Sequence, residues 1–317
     1  MKDFLIAYAG REGSSALINL LGKQTGVVVP LFEDLDRQNF QEFFQPEEIA
    51  SVLDHIYLTG TYDPAEIRLL MASKNSPPSL REQSHPFMVG FKWRPFEETK
   101  AAAALRRHDV TVGYLCRCDF LELVCSLYIT SSPEFAQQFN LNAGQRHPQF
   151  RMKRMTVEER ETFLGKVDDL HMRVDQTSFL RQARQVLKSR GQLAQRLIAF
   201  RSEGVTVRTL FYEDFLDSNE IFIGRLLAAL DSPRDKIASA TRYTKVMREP
   251  AADKIVNLPD LLATPEFESL SQEYSAVVAQ FDPLLPPREH PAASPTAATT
   301  TAGAAPGKPS QQRRNTT

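Results

Sequence analysis

The sequence predicts an α/β fold, a central parallel sheet with helices on both faces, and three observations carry that prediction. Short apolar runs recur at Asp3–Tyr8, Val27–Leu31, Phe87–Lys92, Val110–Leu115 and Val205–Phe211, each of the length and character of a strand buried on both sides. The intervals between them carry helical periodicity, the alternation expected of a sheet covered by crossover helices. The first run ends in Ala9-Gly10-Arg11-Glu12-Gly13-Ser14-Ser15 and opens a Leu-rich helix, a P-loop-like phosphate-binding turn whose unpaired backbone N–H groups face an anion.

Taken in order, the elements bring their candidate residues with them. The first turn lacks the Gly-x-x-x-x-Gly-Lys-Ser/Thr spacing of nucleoside-triphosphate hydrolases and its fixed cation is Arg11, so ATP with magnesium is not the expected ligand. An ordinary serine helix cap is the plainer alternative. After the second run comes an acidic stretch, Glu33-Asp34-Leu35-Asp36, which a solvated helix start explains about as well as a general base does. Pro46–Leu58 and Pro64–Ser73 read as helices forming a cap between the second and third strands. The third run ends at Lys92, with Trp93 read as core. The fourth delivers Arg117 at its carboxyl edge, with Ser126 on the helix that follows. Ligands of such sheets bind beyond the carboxyl ends of the strands, so Arg117 falls on the same rim as Arg11. Two anion sites on one rim suit a nucleotide phosphorylated at two positions; a surface ion pair is the alternative for Arg117. Thr156–Arg201 places Phe163, Val167, Phe179, Ala183, Leu187, Leu193, Leu197 and Phe200 at helical spacing and predicts one or two long helices inserted before the last strand. Tyr212-Glu213 reads as a structural cap on that strand. Arg146, Arg151, Lys153 and Arg154 form either a solvated basic face or a lid.

With 317 residues, 42% hydrophobic and 24% charged, the chain has the composition of a globular protein. Residues 1–285 read as one α/β domain and 286–317 as a disordered Pro/Ala/Thr-rich tail, too poor in large apolar side chains to offset its ordering entropy. The tail holds four basic residues against one acid and the whole chain sums to −1, leaving −4 on the remainder. A mildly acidic body gives no electrostatic footprint for nucleic acid. No apolar run reaches the length of a membrane span and no secretion pattern opens the chain, so a cytoplasmic protein is expected. Cys116, Cys118 and Cys125 lack partners at zinc spacing and read as buried thiols without a disulfide; no metal is expected. His55, His85 and His108 read as surface or loop residues, the last two being spare candidates for a base.

These motifs together resemble the sulfotransferase family, which uses 3′-phosphoadenosine 5′-phosphosulfate, in its bacterial and carbohydrate-type branches. Arg11-Glu12-Gly13-Ser14-Ser15 with Leu17, Leu20 and Leu21 is similar to the family's 5′-phosphosulfate loop, and Arg117 with Ser126, Leu127 and Tyr128 to its 3′-phosphate motif. Thr209–Phe215 looks like the late strand ending in Tyr-Glu-Asp-Leu, and Lys254-Ile255-Val256-Asn257 like a carboxy-terminal Lys…Ile-x-Asn stretch. The resemblance implies that Arg11 neutralises the 5′-phosphate while Gly13, Ser14 and Ser15 cradle it. It also gives Glu33 the role of base toward an acceptor hydroxyl, with Asp34 and Asp36 its rivals, and lets Lys92 touch the sulfuryl oxygens or the acceptor. Arg242, Lys245 and Arg248 would close over the 3′-phosphate, although the family's late Arg-Lys-Gly signature is absent. Two departures stand out. Glu12 brings a carboxylate beside two anions, so it either turns outward to a cation or weakens binding, and Phe91-Lys92-Trp93-Arg94-Pro95 replaces the family's Lys-Thr-His. The expected reaction is sulfuryl transfer to a hydroxyl of a carbohydrate, lipid or small natural product, without a metal; oligomeric state is open. A small nucleotide-binding kinase and a catalytically inactive nucleotide-binding scaffold of the same fold are the rival readings.

Overall fold

The computed structural model describes residues 1–10, 12–31, 35, 37–73, 87–141, 152, 155–240 and 247–285. The elements, in chain order, are β1 (Phe4–Ala7), α1 (Ser14–Leu21), β2 (Val27–Val28), α2 (Arg37–Gln41), α3 (Ile49–Thr59), α4 (Pro64–Ser73), β3 (Met88–Trp93), α5 (Glu98–Arg107), β4 (Thr111–Cys116), α6 (Phe120–Ser131), α7 (Pro133–Gln138), α8 (Val157–Asp168), α9 (Gln176–Ser202), β5 (Thr206–Phe211), α10 (Tyr212–Asp217), α11 (Asn219–Ala229), α12 (Leu258–Leu262) and α13 (Pro265–Val278). The five strands form one parallel sheet in the order β2-β3-β1-β4-β5. Four of them match the apolar runs to within one residue. β2 stops at Val28, short of the expected Leu31, where the chain runs on to Pro30, which has no N–H to donate to a ladder.

The strand order fixes which helices cover which face. Right-handed crossovers put a leftward connection on one face and rightward ones on the other. Only β1 to β2 runs leftward, so α1 covers one face, joined there by α11: Phe4, Ile6 and Leu210 pack against Leu17, Leu21, Ile223 and Leu227. The other face is covered by α3, α5, α6, α9 and α13, where Leu5, Ala7, Phe91 and Val112 meet Ile56, Leu105, Val124, Leu197 and Tyr274. Period-two alternation along β1 therefore sorts Phe4 and Ile6 from Leu5 and Ala7. Gly90 on β3 lies under the Phe4 ring, and a Cβ there would stand 2.1 Å from it.

The helix expected over 46–58 is present but is no cap. A parallel β2 to β3 connection needs a crossover packed on the sheet, and α3 supplies it: Tyr57 is fully buried, its ring 5.6 Å from Phe91. His55, expected at the surface, is buried on the same helix, and burial lowers its pKa. The stretch after Thr156 forms two helices. Thr156 caps α8 in a reciprocal box with Glu159, and Asp175 caps α9 through the Ser178 N–H. At 27 residues, α9 is about 40 Å long; it is the β4 to β5 crossover and lies against α5, α6, α13 and β5. The predicted tail, from Pro286, lies outside the described residues. Among the described residues no helix is long and apolar enough to cross a membrane.

One polar contact ties two helices of the larger layer. Asp54 on α3 accepts from Arg107 and lies 2.9 Å from His108 Nε2, both at the end of α5. Burial acts to raise the Asp54 pKa, but the hydrogen bonds from His108 and Arg107 outweigh it and hold the carboxyl below its ordinary value. A lowered carboxyl contributes stability that is present above the unfolded pKa and is lost as pH falls through the folded one. Asp54→Asn should therefore cost about 1 kcal/mol near neutrality, a deficit that shrinks once the pH drops below about 4. Urea midpoints of both proteins across that range measure it.

Candidate functional site: an anion cradle at the carboxyl rim

All five strands end on one rim, and the register decides which side chains meet there. Ala7 pairs with Trp93 on one side and Tyr114 on the other, while Cys116 pairs with Phe211. The residue after each of the last pair, Arg117 and Tyr212, therefore emerges side by side. The Arg117 guanidinium carbon lies 5.0 Å from the centre of the Tyr212 ring, a cation–π contact. The same ring packs against Gly13, where a Cβ would stand 2.3 Å from Tyr212 Cε2. Tyr212 thus joins the start of α1 to the end of β4.

Gly13 precedes α1 with φ +71°, a left-handed conformation, and α1 has no side-chain cap. First-turn N–H groups without a cap are suited to an anion. Ser14 is buried, and Ser15 Oγ accepts from Lys92 Nζ at 2.7 Å. Lys92, itself buried at the end of β3, also lies 4.9 Å from the Tyr8 ring. The structure therefore brings Gly13, Ser14, Ser15 and Lys92 into one cluster.

Arg117 is held from several sides. Its side chain is 8% exposed, Nη2 lies 3.6 Å from Glu122 Oε1, its carbonyl accepts from the Tyr274 hydroxyl, and buried Nε has no hydrogen-bond partner among the described residues. The turn that follows is pinned by Glu213, whose carboxylate accepts from the N–H of Cys118 at 3.0 Å and of Asp119 at 3.4 Å. Tyr212-Glu213 is expected to cap the last strand, but the turn that Glu213 pins is the one after β4. Cys118, in that turn, is exposed, whereas Cys116 and Cys125 are buried; all three are free thiols. Ser126 is half-buried on α6.

Glu12 faces neither an outward cation nor the cradle. Its carboxylate is completely buried, with Oε1 accepting from Arg190 Nε at 3.0 Å and Oε2 from the Ala9 N–H at 3.0 Å. Burial pushes its pKa up, and Arg190 and the Ala9 N–H work against that rise. Arg190, from α9, also donates through Nη2 to the Gly10 carbonyl at 2.6 Å and through Nη1 to Ser189 Oγ. Sequence reasoning missed Arg190, although a signal existed: buried Phe179, Ala183, Val186, Leu193, Leu197 and Phe200 share its stripe, and a charge inside an apolar stripe needs a partner.

Arg248 does not join the cluster; it is paired with Asp168 and Glu161 of α8. In the late Lys…Ile-x-Asn stretch, Asn257 both donates to and accepts from Val174, and Lys254 is buried on the Asp168 carbonyl, so these residues fasten the segment after α11 to the α8–α9 turn. Trp93 is core and donates to the Leu35 carbonyl. Arg11, Glu33, Asp34, Asp36, His85, Arg146, Arg151, Lys153, Arg154, Arg242 and Lys245 lie outside the described residues.

No protein-family model matches the chain, and no curated protein matches it in sequence. Solved structures are similar to it, among them the following two. One is a sulfotransferase from Alicyclobacillus acidocaldarius, 14% identical, the match covering 88% of this chain and 96% of that one with a TM-score of 0.39. The other is the sulfotransferase domain from the curacin biosynthetic pathway, 15% identical, covering 89% and 98% with a TM-score of 0.42.

Proposed function

We propose that the chain transfers a sulfuryl group from 3′-phosphoadenosine 5′-phosphosulfate to a hydroxyl acceptor. One observation carries the reading: an uncapped helix start with a lysine on its serine, and an arginine with a buried unpaired Nε, stand on one rim and touch a common ring, that of Tyr212. Two cationic positions joined in this way fit a nucleotide carrying anions at two places. The buried Arg117 Nε suits a phosphate oxygen, and among the described residues no side chain caps the α1 start at Gly13.

In this reading Gly13, Ser14 and Ser15 hold the 5′-phosphate with Arg11, and Arg117 with Ser126 holds the 3′-phosphate. The donor supplies the sulfuryl group when bound. The sulfur–oxygen bond to the phosphate breaks, a new one forms to the acceptor oxygen, and the hydroxyl proton passes to Glu33. Lys92 lies one hydrogen bond from the cradle and counters the charge of the transferring oxygens. Of the late cations, Arg242 and Lys245 remain for the 3′-phosphate.

Calorimetric titration with adenosine 3′,5′-bisphosphate and with ADP tests the reading. The bisphosphate should bind at least about tenfold more tightly, a difference of about 1.4 kcal/mol, and a magnesium chelator should leave its affinity unchanged. Preference for ADP with a strict magnesium requirement would replace sulfuryl by phosphoryl transfer. Arg117→Ala should weaken the bisphosphate by about 10- to 100-fold, the worth of one or two charge-assisted contacts, and abolish its advantage over adenosine 5′-monophosphate. Equal weakening of both ligands would remove Arg117 from the 3′-phosphate. Glu33→Ala should bind the bisphosphate as the parent does and transfer nothing.

A further inference from the structure

We propose that Arg190 and Glu12 form a brace that sets the shape of the anion-binding turn, so that a residue of α9, far along the chain, acts as a positioning residue for the 5′-phosphate. The ligand in this inference rests on the nucleotide reading above; the brace itself rests on geometry alone. Between β1 and α1 the chain must reverse while leaving its helix-start N–H groups open. Three contacts hold it in that state: Arg190 Nη2 on the Gly10 carbonyl, Arg190 Nε on Glu12 Oε1, and the Ala9 N–H on Glu12 Oε2. They consume an acceptor at Gly10 and a donor at Ala9, on the strand side of the turn. The uncapped N–H groups of the α1 start lie on the other side and stay available.

The brace also explains how an acidic residue is tolerated beside an anion site. A carboxylate pointing into the cradle would repel the phosphate; inside, its charge is matched by a guanidinium that is itself 4% exposed at the side chain. Arginine suits the task because its planar fork reaches a carboxylate and a carbonyl at once, which a lysine ammonium on a flexible stem does not. Arg190 sits in the apolar stripe of α9, where its charge is met by Glu12 and the Gly10 carbonyl.

The test uses the full chain with three changes, Glu12→Gln, Arg190→Gln and the two combined. Glu12→Gln keeps an oxygen for the Ala9 N–H and strands no negative charge. Hydrogen exchange on the ligand-free proteins reads the brace directly: the Ala9 amide should exchange at least about tenfold faster in Arg190→Gln while the β4 amides keep their protection. Unchanged protection at Ala9 would overturn the brace whatever the ligand is. Titration then reads its purpose. Each variant should lose about tenfold or more in affinity for adenosine 3′,5′-bisphosphate and little for adenosine 3′-monophosphate, and the double variant should lose no more than the worse single one. Equal losses for both ligands would make the pair merely structural and overturn the positioning role. A parent protein that binds the bisphosphate no better than the 3′-monophosphate would instead overturn the nucleotide reading, leaving the exchange result to decide the brace.

Discussion

Gly13→Ala is expected to destabilise the fold by about 2–5 kcal/mol and to remove measurable nucleotide binding. Two separate costs combine. The backbone at Gly13 has φ +71°, and a left-handed residue with a Cβ costs about 1–2 kcal/mol. The new methyl would also stand 2.3 Å from Tyr212 Cε2 and 2.8 Å from Cδ2, well inside van der Waals contact. The ring cannot easily retreat, because Arg117 lies over it and Phe215 is 6.4 Å away in the same cluster. Overpacking of this kind costs about 1–3 kcal/mol. Tyr212→Ala in the Gly13→Ala background should recover only the second cost, so the two changes couple with the sign of relief in a double-mutant cycle read by urea unfolding. A Gly13→Ala protein as stable as the parent would mean that the ring does not rest on this turn.

What the sequence made legible is what local chemistry decides. Apolar runs too short to be helices announced the strands, and Pro30 explains the one that ended early. Thr156, the first residue of the stretch read as helical, caps α8 in the structure. Layer assignment was less legible. The segment 46–58 has a helix's periodicity whether it caps a cleft or covers a sheet, and only the strand order, which no local pattern encodes, places α3 under Phe91. At the site, the turn 9–15 and Arg117 could be picked out because their residue types are unusual at strand ends. The partners that hold them were hidden by distance along the chain: Glu213 is 95 residues from Cys118 and Arg190 is 178 from Glu12. Glu12 looked like an obstacle to anion binding because a carboxylate's direction depends on such a partner.

Arg190→Ala is expected to have the largest effect on stability, about 3–5 kcal/mol, because removing one member of a buried pair strands the other's charge. Glu12 is fully buried, and burial already pushes its carboxyl pKa up against the pull of Arg190. Without the guanidinium that pull is gone and the pKa rises further. A carboxyl whose folded pKa is raised contributes most to stability below its unfolded value of about 4.3, and that contribution is lost as pH rises through the folded pKa. The deficit of Arg190→Ala relative to the parent should therefore be smallest below the unfolded carboxyl value and grow as pH rises above it, the same sign of slope as Asp54→Asn but in a higher pH range. Adding Glu12→Gln should return most of the loss and flatten its pH dependence, since the stranded charge and not the missing side-chain volume causes it. Chemical denaturation of the single and double variants at several pH values decides between these two causes. A deficit that is constant with pH and survives Glu12→Gln would mean that α9 needs Arg190 for packing, and that the buried carboxylate is satisfied by the backbone alone.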